Sequence, residues 1–174
     1  MRTRTALLYA LPLLLLLAAT VLGLTHGQRP QPGPGPGAGE SRPLALPPVE
    51  APDAAAPACA ALLAALPGEL SRDAGTLPRR PLAEPSPPAT VAWGTPRYGP
   101  VVLRCGLPRP AELVPGASIV AVDGVNWLTL SADDRDTFIT ADRPVYVALT
   151  VPRGLGSAPV QAVSDTLRTA VPAG

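Results

Sequence analysis

The sequence contains no lysine; all 14 of its basic side chains are arginines. It has one histidine, His26, one phenylalanine, Phe138, and two cysteines, Cys59 and Cys105, and aromatic residues make up only 3% of the chain. Each shortage closes a route. Without lysine there is no Schiff-base chemistry and no Ser-Lys nucleophile. His26 stands at the end of the N-terminal apolar run, outside the part of the chain that can build a core. A Ser-His-Asp triad, an HExxH helix or a Cys-His zinc site therefore cannot be assembled in that part. From Pro57 onward ten arginines balance ten acids, and a neutral domain has no electrostatic reason to bind nucleic acid. Catalysis there would have to rest on carboxylates, arginines, tyrosines or a bound metal. No cofactor or metal motif is present, and no catalytic residue is assigned.

What the chain has in excess is apolar length at its start. Arg2 and Arg4 precede nineteen almost purely apolar residues, Ala6 to Leu24. In lipid every backbone polar group must be satisfied within the segment, so such a run reads as a helix. At ~1.5 Å per residue it spans ~28 Å, close to the ~30 Å hydrocarbon core of a bilayer. The preceding arginines predict a cytoplasmic N-terminus and a translocated C-terminal bulk, that is, a single-pass protein of the plasma membrane. Length favours a retained anchor. Pro12 leaves Leu13–Leu24 as a block of signal-peptide length, so secretion after cleavage before Gln28 is the alternative.

Three regions follow: a signal-anchor or signal peptide over residues 1–27, a linker over 28–56 and an extracytoplasmic domain over 57–174. The chain holds 25 prolines and 16 glycines, and Pro30 to Gly37, which alternates the two from Pro32 on, has no apolar periodicity. Such a segment stays extended and cannot bury a core. In the domain, Pro57 suits a helix start, and Cys59, Leu62, Leu63 and Leu66 share one helical face. Residues 67–88 read as proline-rich loop. Short strands are expected at Thr90–Trp93, Val101–Cys105 and Thr137–Thr140, and a longer one at Val145–Val151, where apolar residues alternate. Ser118–Val122 and Val125–Leu130 flank Asp123-Gly124, a type I′ hairpin signal that sets Val122 against Val125 and Val120 against Trp127. A last helix, capped by Ser157, carries the stripe Val160, Val163, Leu167 and Val171. Helix, strands, helix predicts an α+β fold: a small antiparallel sheet flanked by an N-terminal and a C-terminal helix, preceded by one transmembrane or signal helix.

Two cysteines in an oxidising compartment read as one disulfide; two buried free thiols are the alternative. Cys59 on the apolar face of the first helix and Cys105 on that of a strand point into one core if that helix packs on that sheet. Asp133, Asp134 and Asp136 are the densest acids. They fail the EF-hand spacing and read as a solvated turn. Trp93, Trp127 and Arg104 are the candidate binding residues. The tryptophans would stack on a ligand if exposed, but with so few aromatics they are natural core fillers. Arg104, on the strand face opposite Cys105, is suited to an anionic ligand or is an ordinary surface arginine.

The stretches Pro57-Ala58-Cys59, Trp93-Gly94-Thr95-Pro96, Val102-Leu103-Arg104-Cys105-Gly106 and Val122-Asp123-Gly124-Val125-Asn126-Trp127 resemble the DUF3515 family of short exported or membrane-anchored actinobacterial proteins. The resemblance implies an exported location and a domain over about Pro57 to Pro172; it supplies no activity and no catalytic residue. The reading that follows is a non-enzymatic binding or scaffolding component of the bacterial cell envelope. It has the membrane and an envelope protein as its partners. A carboxylate-dependent hydrolase of envelope polymers and a small-ligand binding module are the alternatives. Thiol labelling of the denatured, unreduced protein is expected to find neither Cys59 nor Cys105 free; labelling of both would remove the disulfide and the oxidising address with it.

Overall fold

In a computed structural model the structure describes residues 42–72 and 75–174. The N-terminal helix expected over residues 6–24, His26 and the proline-glycine run therefore lie outside the described residues. No helix among the described residues is long and apolar enough to cross a membrane.

Helix α1, Pro57–Ala65, begins with proline at its first turn, where the missing N–H would be unsatisfied in any case. The strands are β1 Glu69–Arg72, β2 Gly75–Arg80, β3 Thr90–Trp93, β4 Val101–Leu107, β5 Ile119–Val122, β6 Val125–Ser131, β7 Arg135–Thr140 and β8 Tyr146–Pro152. Helix α2, Ala158–Ala170, closes the chain. The strands form one antiparallel sheet in the order β1-β2-β3-β4-β8-β7-β6-β5. The fold is α+β. Helix α2 touches both edge strands, β1 and β5, and packs on α1, so the sheet curls around the helices.

Alternation explains which face is which. Val101, Leu103 and Cys105 of β4 and Val147, Leu149 and Val151 of β8 point inward with Trp93 and Trp127. Helix α1 sends in Cys59 and Leu62, and α2 sends in the stripe Val160, Val163, Leu167. Cys59 and Cys105, 46 positions apart in sequence, form a disulfide with Cα atoms 5.6 Å apart. Closing a loop of that length removes about 4 kcal/mol of unfolded-chain entropy. The Asp123-Gly124 turn has φ of 46° and 80°, and the hairpin register sets Val122 on Val125 and Val120 on Trp127 as the turn chemistry requires.

Three segments differ from the sequence expectation. Residues 67–88, read as loop, contain the β1–β2 hairpin. Its strands bury one leucine each, Leu70 and Leu77, too few to register as periodicity. Ser157 precedes α2 but makes no side-chain cap; its own backbone is already helical. Residues 42–56, read as the end of the linker, lie along the sheet. The Leu44 N–H donates to Pro81 O at 2.8 Å, Ala83 N–H donates to Leu44 O at 2.9 Å, and Asp53 N–H donates to Gly106 O at 3.0 Å. We refer to residues 42–52 as the strap.

The strap joins α1 by crossing β4 at Gly106. That residue has φ of +83°, and a Cβ there would overlap the backbone of Asp53 and Ala54. G106A is therefore expected to destabilise the fold by about 3 kcal/mol, from left-handed strain plus the clash. G68A, with nothing within 4 Å of the added carbon, should be close to neutral. Urea denaturation of both variants under oxidising conditions checks this; equal midpoints would refute the crossing.

Candidate functional site

On the outer face of the sheet the same alternation presents Val102 and Arg104 from β4, Thr150 and Pro152 from β8, and Arg135 and Thr137 from β7. Register places them side by side: Val102 pairs with Thr150, Thr150 with Thr137, and Pro152 with Arg135. Leu46 and Pro47 of the strap stand over one side, and Gly99 and Pro100 close another. Together they enclose a cavity of about 420 Å³. That volume lies in the range of small-molecule sites, which are mostly apolar with a few placed polar groups.

The polar groups are few and unequal. The Arg135 guanidinium grips Asp134 with two bonds, Nε to Oδ1 at 2.8 Å and Nη2 to Oδ2 at 2.6 Å. That hydrogen bond holds the Asp134 carboxyl below the ordinary carboxylate value. The pair sits exposed on the rim. Thr137 and Thr150 share one hydrogen bond between hydroxyls at 3.1 Å. Whichever donates, the other keeps its own hydrogen for a third partner.

Arg104 is different. Burial pushes its pKa below the ordinary guanidinium value, although arginine stays charged. Among the described residues it forms no ion pair. Its Nε is buried with no acceptor, and Nη2 has only Pro47 O at 3.5 Å, the outer limit of a hydrogen bond. A cation taken from water without a counter-charge is destabilising unless a partner joins it.

Of the candidate binding residues, then, Arg104 lines the cavity and the tryptophans do not. Trp93 and Trp127 are 0% exposed. Trp93 donates from Nε1 to Pro67 O at 3.0 Å, and Trp127 donates from Nε1 to Ser164 Oγ at 2.9 Å while meeting the Phe138 ring edge-on at 6.4 Å. Neither has a face open to a ligand. The acids Asp133 and Asp134 lie on an exposed turn after β6, and Asp136 faces Arg153 at 3.6 Å. Among the described residues no group of three or more His, Cys, Asp or Glu side chains is placed to hold a metal.

Thr137 and Thr150 were not singled out from sequence. They alternate out of phase with the buried positions of their strands, as Arg104 does, and that phase was the available signal. Leu46 and Pro47 fell within the expected linker. Their role depends on a strap whose docking is made largely by backbone groups.

The family described as a protein of unknown function, DUF3515, matches residues 9–174 of the chain. Comparisons with curated proteins and with solved structures found no match.

Two arginines, one buried and one half-buried, make opposite predictions. The Arg143 side chain is 1% exposed, pairs with Asp142 at 2.9 Å and donates to Gly124 O at 2.9 Å, holding the hairpin turn. R143M should lower stability by about 3 kcal/mol, because it strands Asp142 and the Gly124 carbonyl. R104M should leave the denaturation midpoint unchanged or raise it, since it removes a desolvated cation without breaking a pair. Paired urea melts test both; a large loss in R104M would make Arg104 a structural residue.

Proposed function

The chain belongs to the DUF3515 family, whose description assigns no activity, and we propose that it is a non-enzymatic binding component of the bacterial cell envelope. In this reading its N-terminal helix holds it at the plasma membrane, with the folded domain outside, and the Arg104 cavity is its ligand site. The observation that carries the reading is the half-buried Arg104 guanidinium, unpaired at the wall of a cavity of about 420 Å³. Folding has set a charge that no carboxylate among the described residues neutralises, with its Nε buried and unsatisfied, and perturbed, underused polar groups of this kind mark functional sites.

The address is supported by the arginines ahead of the apolar run and by the disulfide, which suits an oxidising compartment. A hydrolase of envelope polymers needs two carboxylates facing each other across a cleft. Asp134 and Asp136 are committed to Arg135 and Arg153, which favours binding over hydrolysis. Ligand stacking on tryptophan is set aside because both indoles are packed in the core.

The test is a thermal-shift screen of the full chain in detergent against anionic, neutral and cationic small molecules, run in parallel on R104M. Anionic compounds should raise the wild-type Tm by about 10 °C at a hundred times their Kd, since ligand at that excess contributes about 2.7 kcal/mol. R104M should lose the effect. A screen with no Arg104-dependent shift would overturn the reading. Protease added outside intact cells should digest the domain; complete protection would overturn the address.

A further inference from the structure

The chemistry of the cavity selects among anions. Three charged side chains line it, and two of them, Asp134 and Arg135, neutralise each other through their double hydrogen bond. The uncompensated charge is that of Arg104 alone. A monovalent anion cancels it, whereas a divalent one would leave a negative charge in a partly apolar enclosure near the Asp134 carboxylate. The remaining walls, Leu46, Pro47, Pro100, Val102 and Pro152, are aliphatic. Their side chains offer no hydrogen bond to a polar body and a dry surface to an apolar one.

We infer that the cavity binds a small monocarboxylate with an apolar body: the carboxylate on Arg104 and the hydroxyl left over from the Thr137–Thr150 pair, the apolar part against the strap and Pro152. Guanidinium and carboxylate are both planar and meet through two parallel N–H···O bonds, a match that a point-charge ammonium cannot reproduce. Thr150 sits on β8, the strand next to β4, and Thr137 on β7 beyond it, each two residues from Pro152 or Arg135 along its own strand, so one ligand can reach both ends of the site. This inference rests on the reading of the cavity as a ligand site. A free short-chain acid and the C-terminal residue of a peptide carry the same chemistry.

The experiment is calorimetric titration of the full chain with propanoate, butanoate, pentanoate and hexanoate, with their primary amides, with butyl phosphate, and with N-acetyl-leucine as the mimic of a peptide end. Affinity should rise about fourfold per added methylene as apolar surface enters the cavity. The amides should bind about tenfold more weakly or worse, because they lose the charge-assisted bonds. R104K should weaken pentanoate and R104M abolish its binding, in variants whose melting shows them folded. N-acetyl-leucine binding above pentanoate would support the inference and assign a peptide source; the reverse would support it and assign a free acid. Butyl phosphate binding above pentanoate, or amides binding equally, would overturn the ligand class while Arg104-dependent binding kept the site. No Arg104-dependent binding of any probe would overturn both.

Discussion

The structure turns on three consecutive residues near the end of β4. Cys105 points inward and is bonded to Cys59 of α1. Gly106 lets residues 53 and 54 cross directly over the strand, and its carbonyl accepts the Asp53 N–H. Arg104 points outward, into the cavity. The crossing at Gly106 is where the chain passes from one face of the sheet to the other. Before it the strap runs over the outer face; after it α1 lies on the inner face and is locked there by the disulfide. A side chain at 106 would push the strap and the helix apart, and the cavity wall and the core would fail together. The register shift between Cys105 and Leu107 marks the same place, since a bulge absorbs the local distortion that the crossing imposes.

Most of the core was legible from the amino-acid order because it follows from period and turn chemistry. The Asp123-Gly124 hairpin, the alternation of β8 and the stripe of α2 each carry a local signal strong enough to stand alone. The disulfide was legible because both cysteines fall on apolar faces. What was not legible depends on partners distant in sequence. Leu70 and Leu77 become strand residues only because each finds the core, and the strap is held by Pro81, Leu82 and Gly106, which no local pattern links to Leu44 or Asp53. The cavity shared that fate. Arg104 was visible as an outward residue on a strand; its strap wall, and the threonines that β8 and β7 bring to the same face, required the sheet order.

The arginines show how a lysine-free chain distributes charge. Arg79, in the stretch that reads as proline-rich loop, donates to the Leu66 carbonyl at 3.0 Å and to those of Pro67 and Leu63, at the C-terminal end of α1, where a cation meets both unsatisfied carbonyls and the negative end of the helix dipole. It also lies over the Trp93 ring at 5.8 Å. Arg143 holds the hairpin turn, and Arg135, Arg153 and Arg168 each face an aspartate. A flat guanidinium with five donors suits these multi-carbonyl and carboxylate roles better than an ammonium would. Against that pattern Arg104 stands out, since it is partly desolvated, faces a cavity and has no comparable partner among the described residues.

An unpaired, half-buried cation survives in a fold only if something else supplies the stability that it removes. Here the neighbouring residue does so. The Cys59–Cys105 bridge contributes about 4 kcal/mol through loop closure, and it acts at the position adjacent to Arg104 on the same strand, where it holds β4 against α1. Rigidity at that point has a second consequence. With β4 fixed from below and the strap fixed at Leu44 and Asp53, the guanidinium and the aliphatic wall opposite it have little freedom to collapse onto each other. The cavity therefore stays open with its charge in place, and the ligand proposed for it would not bear the entropy of ordering the site. The same bridge that stabilises the fold holds the β4 wall of the cavity against α1.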